Sequence, residues 1–338
     1  MKIKVLYVER KPHEFVSLEK AFRQIAACIS ERFETDFQQL PYGLRFPDTI
    51  KNLIFFRKRK ADIYHITGHV HYIALLFSPR NTVLSIMDLR FLYIKNGLRR
   101  FLLKKLYLDL PVKRLEYITA ISEQTKQEII FHTKCREDKI RMLDLTLFNH
   151  FYVENERPFN AEKPVILQVG TMENKNVPNL IRALRGLSCK LVIIGKVDAL
   201  LLTVLRENEI DFESRSELNG DEMRSEYERS DIVAFCSTLE GFGLPIIEAQ
   251  SMQKPVVTSN ISPMIETSGS AAALVDPLDV ASIRAGIDKV IGDREFRNKL
   301  IMEGLQNIER FNPRITAAGY EKLYEEILVN IEAGKNTN

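Results

Sequence analysis

The second half of the chain alternates short apolar runs with segments of helical periodicity. Apolar runs of strand length occupy residues 164–170, 190–195, 231–236 and 254–259, and helical patterns occupy 177–187, 199–208, 222–229 and the segment after Pro245. Strands that are apolar throughout and separated by helices are typical of a parallel sheet covered on both faces. This half is therefore predicted to form a doubly wound α/β domain.

The first half repeats this alternation less regularly. Predicted strands cover residues 3–8, 62–67, 82–86 and 117–121, and helical spacing joins Leu18, Phe22, Ile25 and Ile29. A polar stretch at 149–163 separates the halves, and 338 residues is a length typical of two domains. We predict domains at 1–150 and 151–312, followed by an amphipathic helix at 313–332.

Composition excludes several classes of protein. With 45% hydrophobic and 28% charged residues, the chain has the balance of an ordinary globular protein. A net charge of +3 and the lack of a nucleic-acid-binding motif argue against a nucleic-acid partner. The four cysteines lack the C-x-x-C spacing, and no secretory leader or membrane-spanning run is found. These features predict a cytoplasmic protein with free thiols.

One loop in the second half combines glycines with acids. The run from Ser237 to Ala249 reads STLEGFGLPIIEA, so Glu240 and Glu248 lie eight positions apart around a Gly-x-Gly-x-Pro turn between a strand and a helix. Glycines let backbone amides approach a ligand closely, and a helix N-terminus favours phosphate. Carboxylates accept hydrogen bonds from sugar hydroxyls. Each glutamate taken alone is also consistent with a solvated surface acid.

The string from Glu240 to Ala249 resembles the E-x7-E signature of glycosyltransferase family 4, the retaining GT-B transferases. The resemblance implies two Rossmann-like doubly wound domains facing each other across a cleft, with the last helix crossing back to the first domain. It further implies transfer of a hexose from a UDP- or GDP-linked sugar to a glycan or lipid-linked acceptor, in bacterial cell-surface polysaccharide synthesis. Glu240 would bind the hexose and Glu248 the ribose.

The same resemblance extends to other loops that follow predicted strands, where doubly wound sheets bind ligands. Gly170 and Lys175 match the family's phosphate loop, although a lone lysine before a helix is often solvated. The predicted donor-binding residues are Gly170, Thr171, Lys175, Gly195, Gly241, Phe242, Gly243, Leu244 and Glu248. Two positions depart from the family, since Thr171 stands where an arginine is frequent and Gln253 where glycine is usual. Ser216 and Glu217 form a candidate loop for the base.

Candidate acceptor-side residues lie in the first half. Many family members end a strand with His-Asp where this chain has Met87 and Asp88. His71 is the best placed of three neighbouring histidines to bind the sugar or acceptor, and a loop histidine without a chemical task is the alternative. We take Glu240, His71 and Asp88 as the candidate catalytic residues.

Ser122 matches a family serine that follows a first-domain strand, and it is equally suited to an N-cap. Metal binding is not predicted, because the three histidines at 65, 69 and 71 have no carboxylate or thiol partner in a suitable pattern. No Asp-x-Asp motif occurs in the chain. The charge of a departing nucleotide would instead be stabilised by Lys175, loop amides and the helix N-terminus, without a cofactor.

The segment 90–114 combines charge with apolar residues. It carries eight basic residues and one acid, Asp109, interleaved with leucine, phenylalanine and tyrosine, and residues 57–60 read RKRK. Such stretches can bind an anionic membrane surface, or they can be helices with a solvated basic face. Two other functions stay open. One is a non-catalytic GT-B-like protein that binds nucleotide sugar or glycan, which Met87 favours, and the other is a GT-B phosphorylase or epimerase.

Overall fold

The computed structural model describes residues 2–11, 17–93, 97–147, 153 and 157–336. The chain divides into two compact units, one formed by residues 1–148 and 311–338 and the other by residues 149–310. The predicted boundary between residues 150 and 151 falls outside the described residues. The segment from Phe311 onward is part of the first unit.

The first unit contains a sheet of six described strands. These are β1 (Ile3–Glu9), β2 (Phe33–Gln39), β3 (Ile63–Ile66), β4 (Thr82–Ile86), β5 (Tyr117–Ala120) and β6 (Ile140–Met142). The order is β2-β1-β3-β4-β5-β6, and each pairing of described strands is parallel. The helices before the second unit are α1 (Ser17–Cys28), α2 (Phe46–Phe55), α3 (Gly97–Lys104), α4 (Leu110–Arg114) and α5 (Glu123–Thr133). A π-helical turn, Lys105–Asp109, joins α3 to α4.

The second unit contains another parallel sheet of six described strands. These are β7 (Val165–Val169), β8 (Lys190–Ile194), β9 (Phe212–Arg215), β10 (Ile232–Phe235), β11 (Val256–Ser259) and β12 (Ala273–Val275). Its helices are α6 (Val177–Leu184), α7 (Ala199–Glu207), α8 (Gly220–Arg229), α9 (Leu244–Ser251), α10 (Met264–Ser268), α11 (Val280–Gly292) and α12 (Arg294–Ile308). The order is β12-β11-β10-β7-β8-β9, so the direction of winding reverses between β7 and β10.

Local sequence explains where several of these elements begin and end. Asn219 and Glu222 form a capping box that starts α8, and Asp198 caps α7 by accepting a hydrogen bond from the amide of Leu201. At Gln253, in the turn between α9 and β11, the backbone has a φ of 55°. Glycine adopts this left-handed conformation at the least cost, which explains the family's preference for glycine here.

The last helix, α13 (Pro313–Asn336), is anchored in the first unit by a buried hydroxyl network. The Tyr324 hydroxyl lies 2.7 Å from Nδ1 of His65 and donates to the Tyr7 hydroxyl at 3.0 Å. Nε2 of His65 lies 2.7 Å from Oγ of Ser85, which also contacts the Tyr320 hydroxyl at 3.2 Å. All five side chains are buried, so the network satisfies polar groups that have no access to water.

Acid is expected to destabilise the first unit through its buried histidines. Burial lowers the pKa of His65 from 6.5 to about 3 and that of His71 to about 4. The unfolded chain therefore binds protons first as the pH falls below 6.5, and each histidine lowers the free energy of unfolding by about 1.4 kcal/mol per pH unit until its folded pKa is reached. Above pH 6.5 this effect is absent.

Urea unfolding followed by circular dichroism between pH 4 and 7 measures this dependence. Replacing His65 by Asn should remove about 1.4 kcal/mol per pH unit from the slope below pH 6.5 and leave the slope above pH 6.5 unchanged. Equal slopes in the wild type and the variant would contradict the assignment of His65 as a buried neutral histidine.

Candidate functional site

The predicted donor-binding residues of the second unit cluster at the carboxyl ends of β7, β8 and β10. These strands are neighbours in the sheet, and the winding reverses between β7 and β10. The crevice at such a reversal is where doubly wound sheets bind ligands, because loops from adjacent strands diverge there. The loop after β7 carries Lys175 and the loop after β10 carries Glu240.

Lys175 and Glu240 are in direct contact. Nζ of Lys175 lies 2.6 Å from Oε1 of Glu240, and the side chains are only 12% and 10% exposed. The ammonium also lies 4.5 Å from the centre of the Phe235 ring. Glu240 is therefore a partly buried carboxylate with a fixed partner, which differs from the solvated acid of the alternative interpretation.

Asn174 joins the two loops. Its side-chain Nδ2 donates to the Leu239 carbonyl at 2.7 Å and to Oε1 of Glu240 at 3.2 Å. Its backbone carbonyl accepts from the Thr238 amide at 2.8 Å. The neighbouring Asn176, with a φ of 55°, donates to the carbonyl of Cys236 at 3.0 Å. These contacts fix Glu240 relative to the lysine loop.

Glu248 lies within α9, and its side chain is buried. The hydroxyl of Tyr227 on α8 donates to Oε2 of Glu248 at 2.7 Å. Burial and the adjacent carboxylate together raise the pKa of Tyr227 well above its usual value. Glu248 is thus held in place by a buried donor.

The Gly241–Leu244 loop leads into α9. Gly243 has a φ of 104° and precedes the first helical residue, Leu244, and no described side chain caps this helix N-terminus. The Phe242 carbonyl accepts a hydrogen bond from Thr267 at 2.6 Å, which holds the loop against α10. Uncapped amides at a helix N-terminus suit an anionic ligand.

Two glycines make room for site side chains. Gly170 has a φ of 89°, and a Cβ there would lie 2.9 Å from Cε of Lys175. Gly195 has a φ of 142°, and a Cβ there would lie 2.8 Å from Oγ1 of Thr171. Since such contacts are too short for real Cβ atoms, both positions favour glycine on steric as well as conformational grounds.

The candidate acceptor-side residues lie after β3, β4 and β5 of the first unit. His71 is buried, and its Nδ1 lies 2.8 Å from the carbonyl oxygen of Tyr107, so this nitrogen carries the proton and donates it. Its Nε2 is buried and has no hydrogen-bond partner among the described residues. His71 therefore presents a neutral ring with an unsatisfied acceptor nitrogen.

The other first-unit candidates have structural partners. Oδ1 of Asp88 accepts from the Arg90 amide at 3.0 Å, and its Oδ2 lies 3.9 Å from Nε2 of His69. The side chain of Met87 is buried. Ser122 is the N-cap of α5 and accepts from the Thr125 amide at 3.2 Å. Among the described residues, no group of three or more His, Cys, Asp or Glu side chains could hold a metal ion.

Sequence reasoning missed three residues that contact the predicted donor-binding side chains: Asn174, Tyr227 and Phe235. The signal for Asn174 was its position beside Lys175 in the loop after β7. Nothing local marks Tyr227, because its contact with Glu248 joins residues 21 positions apart. The candidate base loop at Ser216 and Glu217 follows β9, and Glu217 has a φ of 61°.

Comparison with known proteins identifies a matching family model and similar sequences. Residues 153–306 match the family model described as Glycosyl transferases group 1. The chain is 27% identical over 245 residues to the capsular polysaccharide biosynthesis glycosyltransferase CapM of Staphylococcus aureus, covering 64% of this chain and 63% of that protein. It is 29% identical over 242 residues to the serotype-specific mannosyltransferase WbdA of Escherichia coli, covering 65% of this chain and 29% of that protein. The chain spans less than two thirds of either relative.

Solved structures share the fold over almost the whole chain. A glycosyltransferase from Rickettsia africae ESF-5 has a TM-score of 0.72 at 18% identity, covering 97% of this chain and 99% of that chain. Anabaena HepE, solved with UDP and glucose, has a TM-score of 0.74 at 14% identity, covering 96% of this chain and 100% of that chain. The two Rossmann-like units therefore have the GT-B fold, and the sequence of residues 153–306 is similar to the group 1 glycosyl transferases.

Proposed function

We propose that this chain is a retaining glycosyltransferase that moves a hexose from a UDP- or GDP-linked sugar to a glycan or lipid-linked acceptor. The observation that carries the proposal is the contact of Lys175 with Glu240 at the point where the sheet reverses its winding. Two relatives with similar sequences are named as a capsular polysaccharide glycosyltransferase and a mannosyltransferase, which supports a role in bacterial cell-surface polysaccharide synthesis.

Each part of the donor has a matching group in the second unit. In the proposed complex, Lys175 and the amides that start α9 bind the diphosphate, where positive charge stabilises the departing nucleotide. Glu248 accepts from the ribose hydroxyls, and Glu240 accepts from the hexose. Gly170, Thr171 and Gly195 shape the phosphate side of this site. The charge of the leaving group is thus met by protein groups, without a metal.

Transfer is proposed to retain the anomeric configuration. No residue of the site is assigned as a covalent nucleophile. The acceptor hydroxyl attacks the anomeric carbon on the face from which the nucleotide leaves, the bond from the anomeric carbon to the phosphate oxygen breaks, and a departing phosphate oxygen takes the hydroxyl proton. His71, Asp88 and Ser122 of the first unit are the proposed acceptor-side residues, and Nε2 of His71 is the acceptor atom best suited to a hydroxyl.

A panel of UDP-, GDP- and ADP-sugars, with and without crude lipid extract, tests the proposal by nucleotide release. Release of one nucleotide in the wild type and its loss in Glu240→Ala would support transfer and identify the donor. NMR of the product then reports whether the anomeric configuration is retained. Nucleotide binding without release under any condition would favour the non-catalytic alternative. The effect of Met87, which stands where many family members have histidine, would then be tested by Met87→His.

The first unit also has a surface that suits an anionic membrane. We propose that this surface holds the protein on the cytoplasmic face of the membrane as a peripheral protein. None of the residues of α3 is buried, and Leu98 and Phe101 are 73% and 56% exposed. Lys104, at the end of α3, and Lys105, in the π-helical turn, line a recess of about 990 Å³. Its lining includes five further basic residues, Lys113, Lys134, Arg136, Lys139 and Arg141, and four acids, Asp109, Glu116, Asp138 and Glu326, so basic residues predominate. No helix among the described residues is long and apolar enough to cross a membrane.

We expect binding to anionic liposomes that weakens as salt is added, because charge and apolar insertion act together at such surfaces. Changing Arg99, Arg100, Lys104 and Lys105 to Glu should abolish co-sedimentation with phosphatidylglycerol vesicles. The matched control is a change of four exposed basic residues of the second unit to Glu: Arg182, Arg206, Arg294 and Lys299. Equal sedimentation of the wild type and the fourfold variant would overturn this part of the proposal.

A further inference from the structure

We propose that the ion pair of Lys175 and Glu240 is a latch that couples recognition of the diphosphate to recognition of the hexose. This inference rests on the proposed function. When the pair is closed, the lysine and the glutamate neutralise each other. The diphosphate of the donor draws the ammonium away from Glu240, and the freed carboxylate then accepts from the hexose hydroxyls.

The geometry makes the two binding roles compete. Oε1 of Glu240 already accepts from Nζ of Lys175 at 2.6 Å, and both side chains are largely buried. Close pairing lowers the ability of the ammonium to attract phosphate, and Oε1 already accepts from both Lys175 and Asn174. A lysine that moves to the diphosphate leaves Oε1 with one donor fewer, so the carboxylate becomes a stronger acceptor for a hexose hydroxyl.

The surroundings favour an exchange of partners over a collapse of the site. Asn174 donates to the same Oε1 and to the Leu239 carbonyl, so it still holds the carboxylate after the lysine leaves. The side chain of Lys175 packs directly on Gly170, where a Cβ would lie 2.9 Å from Cε of the lysine, so its position depends on the glycine as well as on Glu240. A largely buried carboxylate without its cation raises the free energy of the site. Hydrogen bonds from hexose hydroxyls lower that free energy, so they favour replacement of the lysine by the sugar.

The latch makes a distinctive prediction for ligands that lack the hexose. A nucleoside diphosphate breaks the ion pair but offers Glu240 no sugar hydroxyl, so its affinity is reduced by the cost of opening the pair. A nucleotide sugar recovers that cost through the new contacts with Glu240. Removing the charge of Glu240 should thus tighten binding of the diphosphate while weakening binding of the complete donor.

Isothermal titration of UDP, GDP and the matching nucleotide sugars tests the latch in the wild type, Glu240→Gln and Glu240→Ala. We expect both variants to bind the nucleoside diphosphate about fivefold more tightly or better, a typical coupling between linked sites. Both should bind the nucleotide sugar more weakly than the wild type does. Glu173→Gln is the matched control, because Glu173 is an exposed acid two residues from Lys175. This substitution removes one negative charge and leaves the ion pair of Lys175 and Glu240 in place.

The outcomes separate the latch from the function on which it rests. A wild type that binds neither nucleoside diphosphates nor nucleotide sugars would overturn both. A wild type that binds them, with Glu240 variants that gain no affinity for the diphosphate, would overturn the latch and leave the proposed function standing. An equal gain in diphosphate affinity in Glu173→Gln would also overturn the latch, since the gain would then come from the net charge near the site and not from the ion pair.

Discussion

Replacing Lys175 by alanine is expected to lower kcat/KM for sugar transfer by about 10²- to 10³-fold, the usual effect of removing one group that stabilises charge in the transition state. In the proposed mechanism, its ammonium is the main side-chain charge that meets the departing diphosphate. The substitution also leaves Glu240 as a largely buried carboxylate without its cation. The kinetics of nucleotide release with the donor identified in the panel measure this effect.

The control is Lys299→Ala on α12, which removes a lysine that is 67% exposed and paired only loosely with Glu303 at 3.8 Å. It should leave kcat/KM unchanged. Wild-type turnover by Lys175→Ala, with a folded protein shown by circular dichroism, would contradict the role given to this lysine.

Replacing Tyr324 by alanine is expected to lower the free energy of unfolding of the first unit by about 3–5 kcal/mol, the usual cost of truncating a large buried side chain. Tyr324 is completely buried, and its hydroxyl joins α13 to His65 of β3 and Tyr7 of β1. The substitution therefore creates a cavity and leaves polar groups of two strands without their partner. Urea and thermal unfolding followed by circular dichroism measure the loss.

Two further variants divide this effect into its parts. Tyr324→Phe keeps the ring and removes only the hydroxyl, so it should cost about 1–3 kcal/mol through the unsatisfied partners. Val329→Ala alters the same helix at a position that is 63% exposed and should change stability little. A Tyr324→Ala variant as stable as Val329→Ala would show that α13 is not anchored through this network.

The sequence predicted the inner strands of both sheets and missed the edges. The eight predicted strands correspond to β1, β3, β4 and β5 of the first unit and to β7, β8, β10 and β11 of the second. The four missed strands, β2, β6, β9 and β12, are the edge strands. Inner strands of a covered parallel sheet are apolar on both faces and give a clear signal. Edge strands are partly exposed, and β2 reads FETDFQQ, so their pairing depends on a neighbour that the local pattern does not reveal.

The candidate donor site was predictable as a set of loops but not as a set of contacts. Strand-end glycines and the spacing of Glu240 and Glu248 are local features, and they indicated loops that the structure brings to the carboxyl ends of neighbouring strands. The ion pair of Lys175 with Glu240 joins residues 65 positions apart, and only the adjacency of β7 and β10 brings them together. The same holds for the hydrogen bond from Tyr227 to Glu248.

In the first unit, the sequence pattern could not distinguish one histidine from another. His65 belongs to the buried network of α13, whereas His71 has a buried ring nitrogen with no described partner. That difference arises from packing against Tyr107 and Tyr324, which lie far from the histidines in sequence. Ser122 serves as an N-cap, and its proposed role toward an acceptor would be additional to that structural task.

Transfer of labelled hexose from a nucleotide sugar into a glycan or lipid fraction tests the central claim most directly. With a radiolabelled donor chosen from the panel, the wild type should move label into the acceptor fraction in step with nucleotide release, and Lys175→Ala should move at least about 10²-fold less. Label that stays on the nucleotide with every donor and extract, or equal transfer by the variant, would contradict the account.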